Sequence, residues 1–354
     1  MNPFQLPRWR FTNCCGHEWG HTPKPLSLDR RTFIKAAAAG AAGIAALPAL
    51  RGRAAAQVRV FPPPPPAVSP IEGLIDFHVH SAPDVFGRAV DDDEAAVLYK
   101  ANGIEGVVLK NHVALTADRA WLVRKHVTGI KAFGGIALNG AAGGINVEAV
   151  QWMWRMQGGY GRVVWFPTFD ADHHVKHFKD APEGIKVVGP DGKVLPAVRE
   201  VLKVCAQQKL VVCTGHASPT EALAIIEAAR DAGCDRIVVT HAQFEVVNMS
   251  LEQMKKAAAM GAKMELCAMG SLMGPNAHLA WMRHWRLVTF KESAEAIKAV
   301  GAEHFVLATD LGQTGNPSQP DGYKMLVAGL MAQGLTKDQI RTMGREVPGK
   351  LLMG

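Results

Sequence analysis

From Ile71 onward the chain alternates short β-branched runs with helical segments eight times, and few folds accommodate that rhythm. The runs that read as strands are Gly73 to Phe77, Gly106 to Lys110, Ala132 to Leu138 and Arg162 to Thr168. They continue with Leu210 to Thr214, Arg236 to Thr240, Lys263 to Cys267 and His304 to Ala308. Helix starts lie between them. Ser218-Pro219-Thr220-Glu221 and Ser250-Leu251-Glu252-Gln253 are capping boxes, and Asp91 to Asp93 put acids where a helix dipole favours them. Eight such units match a (β/α)8 TIM barrel, typically ~250 residues before insertions. A doubly wound sheet fits less well, because no glycine-rich phosphate loop follows the first strand. Two irregular inserts are expected, Asp172 to Leu195 and Ser271 to Leu287.

Charge separates this barrel from what precedes it. The formal net charge of +7 suggests a polyanion partner, but residues 1–56 hold 8 Lys and Arg against 2 acids. The remaining 298 residues hold 31 bases and 30 acids, so a nucleic-acid partner is not expected. The basic run Asp29-Arg30-Arg31-Thr32-Phe33-Ile34-Lys35 is followed by an apolar stretch from Ala36 to Leu50 and by Ala54-Ala55-Ala56. Together they read as a signal peptide, and the run resembles the twin-arginine export motif. The apolar core is short and rich in Ala and Gly, a poor membrane anchor beside the ~20 strongly apolar residues of a span. The resemblance implies a protein exported folded through the twin-arginine machinery to the periplasm or beyond. Cys14, Cys15, His17 and His21 match no zinc spacing, and residues 1–28 read as a long n-region or an over-long start. The expected organisation is residues 1–56 as leader, 57–70 as a proline-rich extended connection, and 71–354 as the barrel. Cys205, Cys213, Cys234 and Cys267 sit on apolar stretches and read as buried free thiols.

In such barrels chemistry collects at the C-terminal ends of the strands. Read in order, those ends give His78-Val79-His80, Lys110-Asn111-His112, Asn139, Thr168 with Asp170, His216, His241 and Asp310. His78-x-His80 alone is weak, since 14 His in 354 residues yield about half an H-x-H by chance. Placement gives it weight: alternate strand residues face one side, so both imidazoles point to the barrel mouth. Converging histidines and a carboxylate suit a zinc-like divalent ion with a position open for water.

The set is similar to the amidohydrolase superfamily, which carries H-x-H after strand one, His after strands five and six, and Asp after strand eight. Gly301 to Asp310 resembles the last-strand signature of its amidohydrolase-related branch. The resemblance implies His78, His80, His216 and Asp310 as metal ligands, His241 as ligand or carbonyl polariser, and Asp310 as the base toward the attacking water. At strand four, where many binuclear members carry a carboxylated Lys or a Glu, this chain offers Thr168 and Asp170. One ion is therefore favoured over two, unless Lys110 bridges as a carbamate from strand two.

Lys110, costly to bury, reads as a site residue: a carbamate ligand, a substrate-carboxylate clamp or a Schiff-base amine. Arg88 and His112 are candidate substrate contacts, Arg88 having a salt bridge to Asp91 or Asp92 as its alternative. His173, His174 and His177 form a cluster after strand four, and Trp281, His284 and Trp285 could cover the pocket. Glu221 is explained by its cap. The expected activity is hydrolysis of a C–N or C–O bond in a small molecule, an amide, cyclic imide or lactone. The rivals are a metal-dependent non-oxidative decarboxylase and an exported binding barrel without chemistry; oligomeric state is open. A phosphoesterase of the PHP type would want a late D-x-H, and Asp310-Leu311-Gly312 is not one.

Overall fold

The computed structural model describes residues 69–354. The proposed leader, its arginine pair, Cys14, Cys15, His17, His21 and most of the proline-rich connection lie outside the described residues. Eight parallel strands stand in sequence order, β1 (Ile75–Val79), β2 (Gly106–Leu109), β3 (Lys131–Ala137), β4 (Gly161–Trp165), β5 (Val211–Cys213), β6 (Ile237–Val239), β7 (Lys263–Cys267) and β8 (Phe305–Ala308). Helices separate them, and the architecture is the (β/α)8 barrel. The strands are buried nearly throughout, as parallel strands roofed by helices must be. No helix among the described residues is long and apolar enough to cross a membrane.

Strand ends deviate from expectation for local reasons. The first strand starts at Ile75 rather than Gly73, because Gly73 turns with φ +71°. The fourth stops at Trp165 rather than Thr168, where Pro167 has no N–H to give the ladder. The acid-rich start at Asp91 and the boxes at Ser218 and Ser250 all cap helices as expected, Glu221 closing its box.

The seam between β8 and β1 closes the ring. Asp310 N donates to His78 O (2.8 Å) and His80 N to Leu311 O (2.9 Å). Beneath it lies Asp76, fully buried, which accepts from Thr309 N (2.9 Å), His78 N (3.2 Å) and Tyr99 Oη (2.5 Å). Burial pushes the Asp76 carboxyl up to about 6. One side chain thus ties together the strands that carry the H-x-H pair and Asp310.

Candidate metal centre

Six polar side chains reach the floor of a cavity of about 360 Å³ at the C-terminal mouth: His80, His112, His174, His216, His241 and Asp310. Two of them adopt backbone conformations that side chains other than glycine rarely take, His241 at φ 50° and Asp310 at φ 55°. Such strain persists only where the surroundings enforce it, and it collects at functional sites. Here each turn directs the residue following a strand into the mouth.

The tightest constellation is a triangle. His78 Nε2 lies 3.2 Å from His80 Nε2 and 3.2 Å from Asp310 Oδ1, and His80 Nε2 lies 3.1 Å from the same oxygen. Ligands about 2.0–2.1 Å from a tetrahedral zinc stand about 3.3 Å apart. The triangle has the edges such an ion needs, and its donor set of two imidazoles and a carboxylate suits zinc. His241 faces it from β6, Nε2 3.6 Å from Asp310 Oδ2.

Glu265, in the middle of β7 and fully buried, braces two of these residues. One oxygen accepts from His78 Nδ1 (3.1 Å), and the other accepts from the His241 backbone N–H (3.1 Å) and stands 3.2 Å from His241 Nδ1. With its proton on Nδ1 toward Glu265, His78 leaves its Nε2 with a lone pair toward Asp310. Cys267 lies close by, Sγ 3.4 Å from His241 Nδ1, and completes a second possible ligand group with His78, His241 and Glu265. That group is the poorer cation site: burial pushes the Cys267 thiol well above its ordinary value, and the Glu265 oxygens already accept hydrogen bonds.

His80 differs. Arg88 Nη2 stands 3.2 Å from its Nδ1, and a guanidinium can only donate. The neutral ring therefore carries its proton on Nε2, directed at Asp310, and a cation entering the triangle must shift that proton to Nδ1 and turn Arg88 aside.

Across the mouth stands the expected ligand His216, its ring 5.3 Å from that of His241. Its Nδ1 is 2.9 Å from His174 Nδ1, its Nε2 is buried with no partner, and it joins neither ligand group. Gly215, at φ +66°, makes its turn possible: a Cβ there would lie 2.2 Å from Phe166 O. His112 donates to or accepts from Thr168 Oγ1 (2.9 Å) and stacks between His80 and Phe169 (centroids 4.9 and 3.9 Å). Lys110 is buried beside Trp165, Nζ 5.4 Å from the ring, and its ammonium has no hydrogen-bond partner. It does not border the cavity, so a substrate clamp or a Schiff base with a ligand held there is out of its reach. Burial lowers its affinity for a proton, while Asp310 and Glu265 raise it.

The salt bridge foreseen from Arg88 to Asp91 or Asp92 is not made. Arg88 Nε and Nη2 both bind Asp84 Oδ2 (2.8 Å), because the loop after β1 folds back one turn, while Asp92 is taken by Arg119 (2.6 Å). Of the histidine cluster, His174 is buried at the site and His177 is exposed. Trp281 and Trp285 border the cavity whereas His284 is exposed, and Trp285 packs on His174, His177 and Phe178 (centroids 5.4–6.0 Å). The two inserts meet through that ring.

The fold and the mouth define a TIM barrel with a candidate metal centre at its catalytic end. A family model, described as a family of unknown function (DUF6282), matches residues 73–265, more than half of the chain, and the chain belongs to that family. No curated protein matches it. Among solved structures it is similar to the organophosphorus hydrolase from Deinococcus radiodurans, at 15% identity and a TM-score of 0.51, covering 82% of this chain and 99% of that one. A mutant organophosphorus hydrolase aligns at 16% identity and a TM-score of 0.52, covering 80% and 94%. A structure described as the engineering of organophosphate hydrolysis from a weak promiscuous lactonase template aligns at 16% and 0.51, covering 80% and 97%. At these identities the likeness is one of fold.

Proposed function

We propose that the protein is a metal-dependent hydrolase of the amidohydrolase type that cleaves a C–N or C–O bond in a small molecule. The triangle of His78 Nε2, His80 Nε2 and Asp310 Oδ1 carries this reading, with edges of 3.1–3.2 Å and two of its corners, His80 and Asp310, bordering the cavity. His78, His80 and Asp310 would hold one divalent cation, zinc by its donors, with His241 beside it. When bound, the ion supplies Lewis acidity that brings a water's pKa toward ~7.

The remaining work falls to side chains. Asp310 borders the cavity, where burial raises its carboxyl's affinity for a proton and its second oxygen can take one from attacking water. Glu265 keeps the Nε2 atom of His78 turned to the centre and holds the backbone of His241, whose ring can polarise a substrate carbonyl. Lys110, below the floor, places positive charge near Asp310 and lowers that carboxyl's affinity for a proton. The location we propose is the periplasm or beyond, reached through the twin-arginine machinery, on the strength of Asp29 to Lys35 and Ala36 to Leu50.

Zinc-loaded protein assayed on aryl esters, lactones and amides tests this reading. Turnover lost together with zinc in Asp310→Asn is expected; activity retained in that variant contradicts the role given to Asp310. Carbon dioxide release from a carboxylic acid without water incorporation would instead favour a decarboxylase.

A further inference from the structure

We infer that the body of the substrate, away from the reacting bond, carries no negative charge and is aromatic or comparably flat and apolar. This deepens the hydrolase reading and rests on it for the identity of the reacting end. The cavity, about 360 Å³, falls in the ~300–1,000 Å³ range of small-molecule sites. Its walls carry six aromatic side chains delivered by four different loops: Phe86 after β1, Phe169 and Phe178 after β4, Phe244 after β6, and Trp281 and Trp285 after β7. Side chains gathered from so many separate segments are not the by-product of one helix packing on the rim. Phe169 and Phe86 meet edge to face at 5.7 Å, and Phe244 stacks on His241 at 4.4 Å, so apolar surface runs up to the catalytic floor.

Charge excludes the alternatives. Arg88 is the single Lys or Arg among the lining residues. Its charge is spent within the wall: Nε and Nη2 bind Asp84, and the two side chains are 4% and 0% exposed. Glu245 adds a carboxylate to the lining. An anionic group on the far end of a ligand would lose its water and find no free cation among the lining side chains, a loss of about tenfold or more in affinity. The aromatic faces offer a flat, neutral ring offset stacking and edge contacts instead.

The test uses a matched pair that differs only at the far end, 2-acetonaphthone and 6-acetyl-2-naphthoate, titrated into zinc-loaded protein by quenching of tryptophan fluorescence. The neutral ketone is expected to bind at least tenfold more tightly than the carboxylate. Trp281→Ala should weaken the ketone at least fivefold with an unchanged melting temperature. Asp84→Asn, which frees the charge of Arg88, should bring the two ligands within threefold. Equal or tighter binding of the carboxylate by the unaltered protein, or binding of neither compound, overturns the inference whatever the variants do. The two readings fail separately: ketone binding with no hydrolysis of neutral aryl esters removes the hydrolase reading alone, and hydrolysis of aliphatic or anionic esters without ketone binding removes this inference alone.

Discussion

The two halves of the barrel mouth are built to different standards. On the side of β1, β6, β7 and β8, Glu265 places the His78 ring and the His241 backbone, and Asp76 pins the backbones of His78 and Thr309. On the side of β2, β4 and β5, Lys110 Nζ and His216 Nε2 are buried without partners. A fully satisfied polar network is rigid, and a partly satisfied one marks where something else is to be bound or charge is to be stored. On the proposed reading the first half is preorganised for a cation, while the second supplies field and shape.

Substitutions can break or sharpen this contrast. Asp310→Asn should have the largest effect, removing both a ligand and the proton acceptor, with a drop in kcat/KM of about 10³-fold or more in steady-state assays. Glu265→Gln should weaken zinc binding about 10–100-fold by competition with a chromophoric chelator, since an amide cannot serve both His78 Nδ1 and the His241 N–H as acceptor through two oxygens. A loss confined to turnover, with zinc affinity unchanged, would contradict the clamp assigned to Glu265. In the other half, Gly215→Ala should cost about 1–3 kcal/mol in denaturant unfolding, from its positive φ and the approach of Phe166 O. The smallest effect is expected for Lys110→Met. Because the Lys110 charge lowers the pKa of Asp310, its removal should move the acid limb of the kcat/KM profile to higher pH, with metal content unchanged. Loss of metal in that variant would show that Lys110 is a ligand.

Much of the first half was legible because its polar residues interrupt or follow apolar runs. His78, His80, His241 and Asp310 stand where a strand enters the mouth, and the structure brings them together. Glu265 escaped because it lies inside a strand rather than at its end. The signal was present in Lys263-Met264-Glu265-Leu266-Cys267, whose alternation sets Lys263, Glu265 and Cys267 on one face. A carboxylate there must find partners in the barrel interior. His216 was legible as a mouth residue, but its pairing with His174 depends on the path of the insert from Asp172 to Leu195, which no periodicity specifies. The partner of Arg88 was missed for a similar reason. A loop's fold-back selected Asp84, and Asp92 had a competing guanidinium from the next helix.

The central claim is that His78, His80 and Asp310 hold one catalytic cation. Isothermal titration of chelator-treated protein with zinc, in parallel with Asp310→Asn, measures it directly. One equivalent should bind per chain with release of a proton near neutral pH, as the Asp310 carboxyl, pushed up to about 8 by burial, gives its proton up to the cation, and that binding should be lost in the variant. Two tight equivalents, or an unchanged single equivalent in Asp310→Asn, would contradict the account.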